Sequence, residues 1–144
     1  MGQKGCLCYM GNGFSPVELI VVLTAVGIRL AIVVVLFIRY MKSRKVDEAI
    51  GIISSIIVSQ EIERGGKRLE YYDAIGPRAH DVIAEKGVEI SKAIYFSYET
   101  FRLEGHFVVI AKALPVSGLK GKIIYESKNG KWTGTEDIWQ EWLP

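Results

Sequence analysis

From Phe14 to Ile38 the sequence runs through 25 residues of which only Ser15, Pro16, Glu18, Thr24, Gly27 and Arg29 are not hydrophobic, and only Glu18 and Arg29 carry charge. No other feature restricts the chain as much. As a helix, this run exceeds the roughly 20 residues needed to cross a ~30 Å hydrocarbon core, so it reads as a membrane span. From Arg39 onward, charged and polar residues return every few positions. The sequence therefore divides into a short polar leader, 1–13, an apolar rod, 14–38, and a head, 39–144, whose first part continues the helix.

With 144 residues there is room for one modest domain beside the rod. A net charge of +2, with no dense basic run interleaved with aromatics, gives no reason to expect a nucleic-acid partner. Both cysteines, Cys6 and Cys8, fall in the leader. The head consequently has no disulfide and must be held by packing. No apolar stretch precedes Cys6 and no His follows the pair, so the cysteines read as incidental and not as a lipidation or haem site.

The order of polar leader and apolar run is informative. An ordinary secretory signal is cut after its apolar segment, behind small residues. Here the leader ends in Gly11-Asn12-Gly13 and the apolar run opens directly as Phe14-Ser15-Pro16-Val17-Glu18-Leu19. Proline clashes with the carbonyl four residues earlier in a helix but is tolerated in the first turn. A helix that starts near Phe14 therefore suits Pro16, and a cut after Gly13 would also remove the clashing carbonyl of Asn12.

This junction resembles the processing site of type IV pilins and of the pseudopilins of type II secretion. Glu18 occupies the family's single acidic position, fifth after the cut, and Gly27, Phe37 and Tyr40 match recurrent positions; the likeness covers roughly residues 13–64. The resemblance implies cleavage after Gly13 by a prepilin peptidase and N-methylation of Phe14. Assembly would then proceed through the helix with copies of the chain or other pilins on an inner-membrane platform. The subunit would lie in a bacterial inner membrane before assembly and afterwards in a pilus or periplasmic pseudopilus, its head outside the cytoplasm. Such a subunit is structural, not an enzyme, and needs no cofactor.

Within that frame Glu18 and Arg29 are the residues that need partners, together with Phe14. A charge at mid-membrane depth costs roughly 2.5–3.5 kcal/mol on insertion scales. The resemblance supplies the ammonium freed on Phe14 of a neighbouring subunit as the partner of Glu18. At ~4 Å and an effective dielectric near 20 the attraction is about 4 kcal/mol before desolvation. Arg29 departs from the family, which is apolar there. It lies eleven residues beyond Glu18 on the same helix face and about 16 Å away along the axis, too far for contact within one helix. A displaced neighbour can bring the two together, and an Arg29 that only reaches a thinned interface is an equal alternative.

Three further departures narrow the type of subunit. Val35 stands where many family members carry proline, so no weakened helical segment is expected there. The absence of cysteine beyond Cys8 removes the terminal disulfide loop of the main adhesive class. Arg39, Lys42, Arg44 and Lys45 follow the rod whereas Lys4 alone precedes it, a distribution that by itself would place the head in the cytoplasm. The junction outweighs that count, because cleavage by a membrane peptidase requires the leader on the cytoplasmic side; the alternative reading is an uncleaved single-pass membrane protein with a partner- or ligand-binding head.

The head predicts an α+β fold: a long N-terminal helix whose outer half carries a small antiparallel sheet of three or four strands. Val46, Ala49, Ile50, Ile53, Ile56, Ile57 and Ile62 form an apolar stripe beside Asp47, Glu48, Gln60, Glu61 and Glu63. Gly65-Gly66 is the expected stop. A helical turn is expected near Ala79–Lys86. Strands follow at 94–104, 106–114, 122–127 and 131–135, the last two joined at Asn129-Gly130. Trp132, Trp139 and Trp142 read as packing anchors. No catalytic site is expected: His80 and His106 lack metal-ligand spacing, and Asp73 with Asp81 offers only a weak hint of calcium.

Overall fold

The computed structural model describes residues 13, 15–66 and 69–144; the expectations for Cys6, Cys8 and Phe14 lie outside the described residues. The fold is α+β, a long N-terminal helix followed by a four-stranded antiparallel sheet. The helix, α1, runs from Pro16 to Gly65, and the chain divides into two units between Ile38 and Arg39.

In the first unit α1 is apolar on all sides. Every residue from Ser15 to Ile38 is exposed, and this stretch is long and apolar enough to cross a membrane. Val35 is helical like its neighbours, as expected of a position without proline.

In the second unit α1 is amphipathic. Val46, Ala49, Ile53 and Ile56 recur every three or four residues and are fully buried, with Ile50 and Ile57 partly buried beside them. Two positions differ from the sequence reading. Ile62 is 68% exposed, because nine residues beyond Ile53 bring it about half a turn round the helix. Gln60, expected on the polar flank, takes the next place in the buried stripe and is fully enclosed.

Gln60 is tolerated there because its amide finds a complete set of partners. Its Nε2 donates to the Tyr72 carbonyl at 2.9 Å and to Thr100 Oγ1 at 2.9 Å, while its Oε1 accepts from the Tyr72 N–H at 3.0 Å. A buried amide bonded in this way avoids the desolvation penalty of an orphaned polar group and fixes one register of helix, loop and sheet. Next to it Ser59 and Tyr72 share a hydroxyl hydrogen bond of 2.6 Å.

The sheet is a meander, β1 (Phe96–Leu103), β2 (His106–Ala113), β3 (Lys122–Glu126) and β4 (Lys131–Gly134), in that spatial order. Alternation decides which face meets the helix: Phe96, Tyr98 and Thr100 of β1, Phe107, Val109 and Ala111 of β2, and Ile123 of β3 all enter the core. The β1–β2 hairpin closes at Leu103↔His106 through Glu104-Gly105, with Gly105 at φ +76°. The β3–β4 connection is longer than the Asn-Gly cue suggests. Pairing ends at Glu126↔Lys131, so Ser127 to Gly130 form a four-residue loop and only Gly130 adopts a positive φ, +60°. The free edge of β1 is bridged by Ala74, which exchanges both backbone hydrogen bonds with Thr100 at 2.9 Å.

Between α1 and the sheet lies α2, Ala79–Glu85, introduced by a short 3₁₀ turn at Gly76–Arg78. Its Ala79 and Ile83 complete the core. Trp132 and Trp142 pack against the core, half-buried, but Trp139 is 46% exposed.

Candidate functional site

The site residues predicted from sequence lie around the first turns of α1. Gly13 is exposed and outside any regular element, and Phe14 lies outside the described residues. Ser15 starts the helix: its Oγ accepts from the Glu18 N–H at 3.2 Å and its carbonyl accepts from the Leu19 N–H at 3.0 Å. Ser15 is thus the N-cap, Pro16 the first helical residue and Glu18 the third.

Ser15 is not among the site residues expected from the sequence, although the sequence carries its signal. Ser-x-x-Glu ahead of an apolar run is the capping-box pattern, in which serine satisfies the N–H of the third helical residue. It adds to what the sequence already implies for Glu18, a first-turn acid at the positive end of the helix dipole, where an anion is favoured by about 0.3–1 kcal/mol. The hydroxyl of Thr24, the other polar side chain before Arg29, is likewise satisfied internally by donating to the Ile20 carbonyl at 2.7 Å.

Glu18 and Arg29 lie on one side of the helix, about 20° apart around the axis. Among the described residues neither forms an ion pair within the chain. The resulting surface is an exposed apolar helix bearing an acid in its first turn and, three turns later, a base.

In the head, polar groups are engaged in structure. His80 Nε2 accepts from the Tyr98 N–H at 3.1 Å, which places the ring's proton on Nδ1. His106 Nδ1 lies 3.1 Å from the Glu104 carbonyl. Asp73 accepts from the Arg102 N–H and also faces its guanidinium, and Glu70 pairs with the same Arg102 at 2.7 Å. Among the described residues no three His, Cys, Asp or Glu side chains gather as a metal site would require.

Two tyrosines are perturbed. Burial pushes the Tyr98 hydroxyl well above its ordinary value, and the negative charge of Glu48 adds to this; the hydroxyl is buried without a hydrogen-bond partner among the described residues. Burial also raises Tyr72, opposed by its hydrogen bond with Ser59 and reinforced by Glu63.

One group of residues had no sequence signal. Arg39, the first residue of the second unit, meets the far end of the chain: its Nη2 is 3.0 Å from Glu141 Oε2, and its guanidinium lies 4.3 Å from the centroid of the Trp139 ring. Trp139 in turn stacks on Trp142, with ring centroids 5.5 Å apart and planes 8° from parallel.

The class that these features define is an α+β protein with a helix apolar enough to enter a membrane at its N-terminal side. Comparison with protein-family models, with curated proteins and with solved structures finds no match.

Proposed function

We propose that the chain is a structural subunit of a type IV pilus or of a secretion pseudopilus, cut after Gly13 by a prepilin peptidase, methylated at Phe14 and polymerised through α1. The observation that carries this reading is the exposed apolar helix from Pro16 to Ile38 with Glu18 in its first turn, directly after the Gly13-Phe14 junction. An apolar surface of this extent requires cover. Packed helices of neighbouring subunits provide it in a filament, as lipid does before assembly.

In this role Glu18 pairs with the amine freed on Phe14 of a neighbour, and Arg29 of an adjacent subunit is its second partner. The subunit catalyses nothing; its partners are the peptidase, copies of itself or other pilins, and the inner-membrane assembly platform. It resides in the inner membrane before assembly and in a pilus or periplasmic pseudopilus afterwards, with the head outside the cytoplasm.

The basic residues Arg39, Lys42, Arg44 and Lys45 favour a second reading, an uncleaved single-pass protein that keeps its head in the cytoplasm to bind a partner or ligand. Mass spectrometry of the full chain co-expressed with a prepilin peptidase separates the two. Loss of residues 1–13 with a methyl group on Phe14 is expected; an intact N-terminus defeats the filament reading. Within it, Glu18→Ala is expected to abolish filament yield. An Arg29→Leu chain that still assembles at the wild-type level would remove the Glu18–Arg29 contact and leave the rest standing.

A further inference from the structure

The cluster around Arg39 has a composition that core packing does not explain. Trp139 remains 46% exposed although Trp142 and Arg39 stack against it, and Tyr40 and Met41, at the same point of α1, are 55% and 43% exposed. The tail is held in place from beneath: Ile138 is buried, and Gln140 Nε2 donates to the Trp132 carbonyl at 2.9 Å. Trp139 is therefore presented on a fixed support.

Charge accompanies the aromatics. Arg39, Lys42 and Arg44 fall within six residues, immediately after the last residue of the apolar run, whereas the next base, Lys45, donates to the Ser117 carbonyl at 2.6 Å within the head. Arg39 engages Glu141, the carboxylate beside the tryptophans, and Arg44 Nε donates to the Tyr40 hydroxyl at 3.0 Å with its guanidinium near that ring. Tryptophan and tyrosine favour the boundary between hydrocarbon and water, where an apolar ring and a polar edge are both satisfied, and basic side chains there reach for lipid phosphate.

We propose that Trp139, Trp142 and Tyr40, with Arg39, Lys42 and Arg44, form an interfacial anchor that seats the head on the phospholipid headgroup layer, with anionic lipid preferred. This rests on the reading of residues 16–38 as a membrane span. Complementary charge and direct continuity with the apolar run identify lipid as the occupant. The anchor holds a subunit at the bilayer surface until assembly withdraws it.

Tryptophan quenching in vesicles tests the anchor separately from the span. The full chain is placed in phosphatidylcholine vesicles, with and without phosphatidylglycerol, doped with phospholipid brominated near the top of its acyl chains. W132F, which keeps Trp139 and Trp142, should be quenched severalfold more strongly than W139F/W142F, which keeps only Trp132. Because Trp132 packs against Tyr125, wild type is also compared with W139F, a change at an exposed position, and W139F should be quenched less than wild type, keeping only the share due to Trp142. K42Q/R44Q should reduce quenching in the phosphatidylglycerol vesicles. If the chain floats with the vesicles while Trp139 is quenched by aqueous iodide and not by brominated lipid, the anchor is wrong and the span stands. If the chain does not float at all, span and anchor fall together.

Discussion

The two halves of α1 are both rich in aliphatic side chains, and they bury them in opposite ways. Between residues 46 and 60 one stripe, Val46, Ala49, Ile53 and Ile56, is covered completely by the head, with Gln60 extending the line. From Ser15 to Ile38 apolar side chains face every direction and every residue is exposed. A stripe can be satisfied by one sheet laid against it. A helix apolar all round requires cover on all sides, and the described chain offers none for it. The head half of α1 is thus completed by folding, whereas the other half depends on surroundings that the described residues do not supply.

Substitutions in the two halves should therefore have unequal effects on the head. Ile53→Ala empties a fully buried site and is expected to cost about 2–5 kcal/mol in denaturant unfolding followed by tryptophan fluorescence. Val33→Ala, on the exposed side of the division, should change the same measurement by less than about 0.5 kcal/mol. Equal losses from the two would mean that the halves are not independent. Gln60→Ala is expected to be next in size, about 2–3 kcal/mol, because it strips the Tyr72 N–H and carbonyl and the Thr100 hydroxyl of their buried partner. Gln60→Leu restores volume without hydrogen bonds. It should be nearly as damaging, and recovery of wild-type stability by Leu would assign the effect of Gln60 to packing.

What the sequence showed of this fold was whatever depends on local repetition. The apolar run, the stripe from Val46 to Ile56, the glycines at the end of α1 and the strand alternation around Phe107 and Val109 are each visible within a few residues. What it hid depends on distant partners. Gln60 looks like a surface residue until Tyr72 and Thr100 are placed around it, and Trp139 looks like a core anchor until Arg39, a hundred residues away in sequence, is found against it. The candidate site was legible as a junction and an acid; its cap, Ser15, is equally visible in Ser15-Pro16-Val17-Glu18, where the same glutamate serves both the capping pattern and the acidic position.

The head half also carries the expected pH response. Burial raises the Tyr98 and Tyr72 hydroxyls above the unfolded value of 10.0, so both groups favour the neutral form in the fold. Their contribution is fully present below pH 10 and is lost as pH rises above it. Alkaline titration of head stability should accordingly be flat to about pH 10 and fall beyond. Tyr98→Phe should lessen the fall and, by removing a buried hydroxyl with no partner among the described residues, raise stability at neutral pH by up to about 1 kcal/mol. A fall that begins near pH 8, or a Phe variant that unfolds more readily, would contradict this.

The smallest effect is expected at the other end of α1, where it bears most directly on the division of the helix. Ser15→Ala removes the acceptor of the Glu18 N–H and should cost the first turn about 1 kcal/mol. Amide hydrogen exchange of the full chain in detergent micelles should show this as faster exchange at Glu18 and its neighbours, with exchange around Ile53 unchanged. The expectation follows from nucleation and fraying: a lost cap loosens the turn it closes, and with hydrogen bonds along the next turns intact there is no reason for the loss to reach the core of the head. If exchange at Ile53 rises together with that at Glu18, α1 opens as one cooperative unit, and its exposed half contributes to the stability of the head despite sharing none of its core.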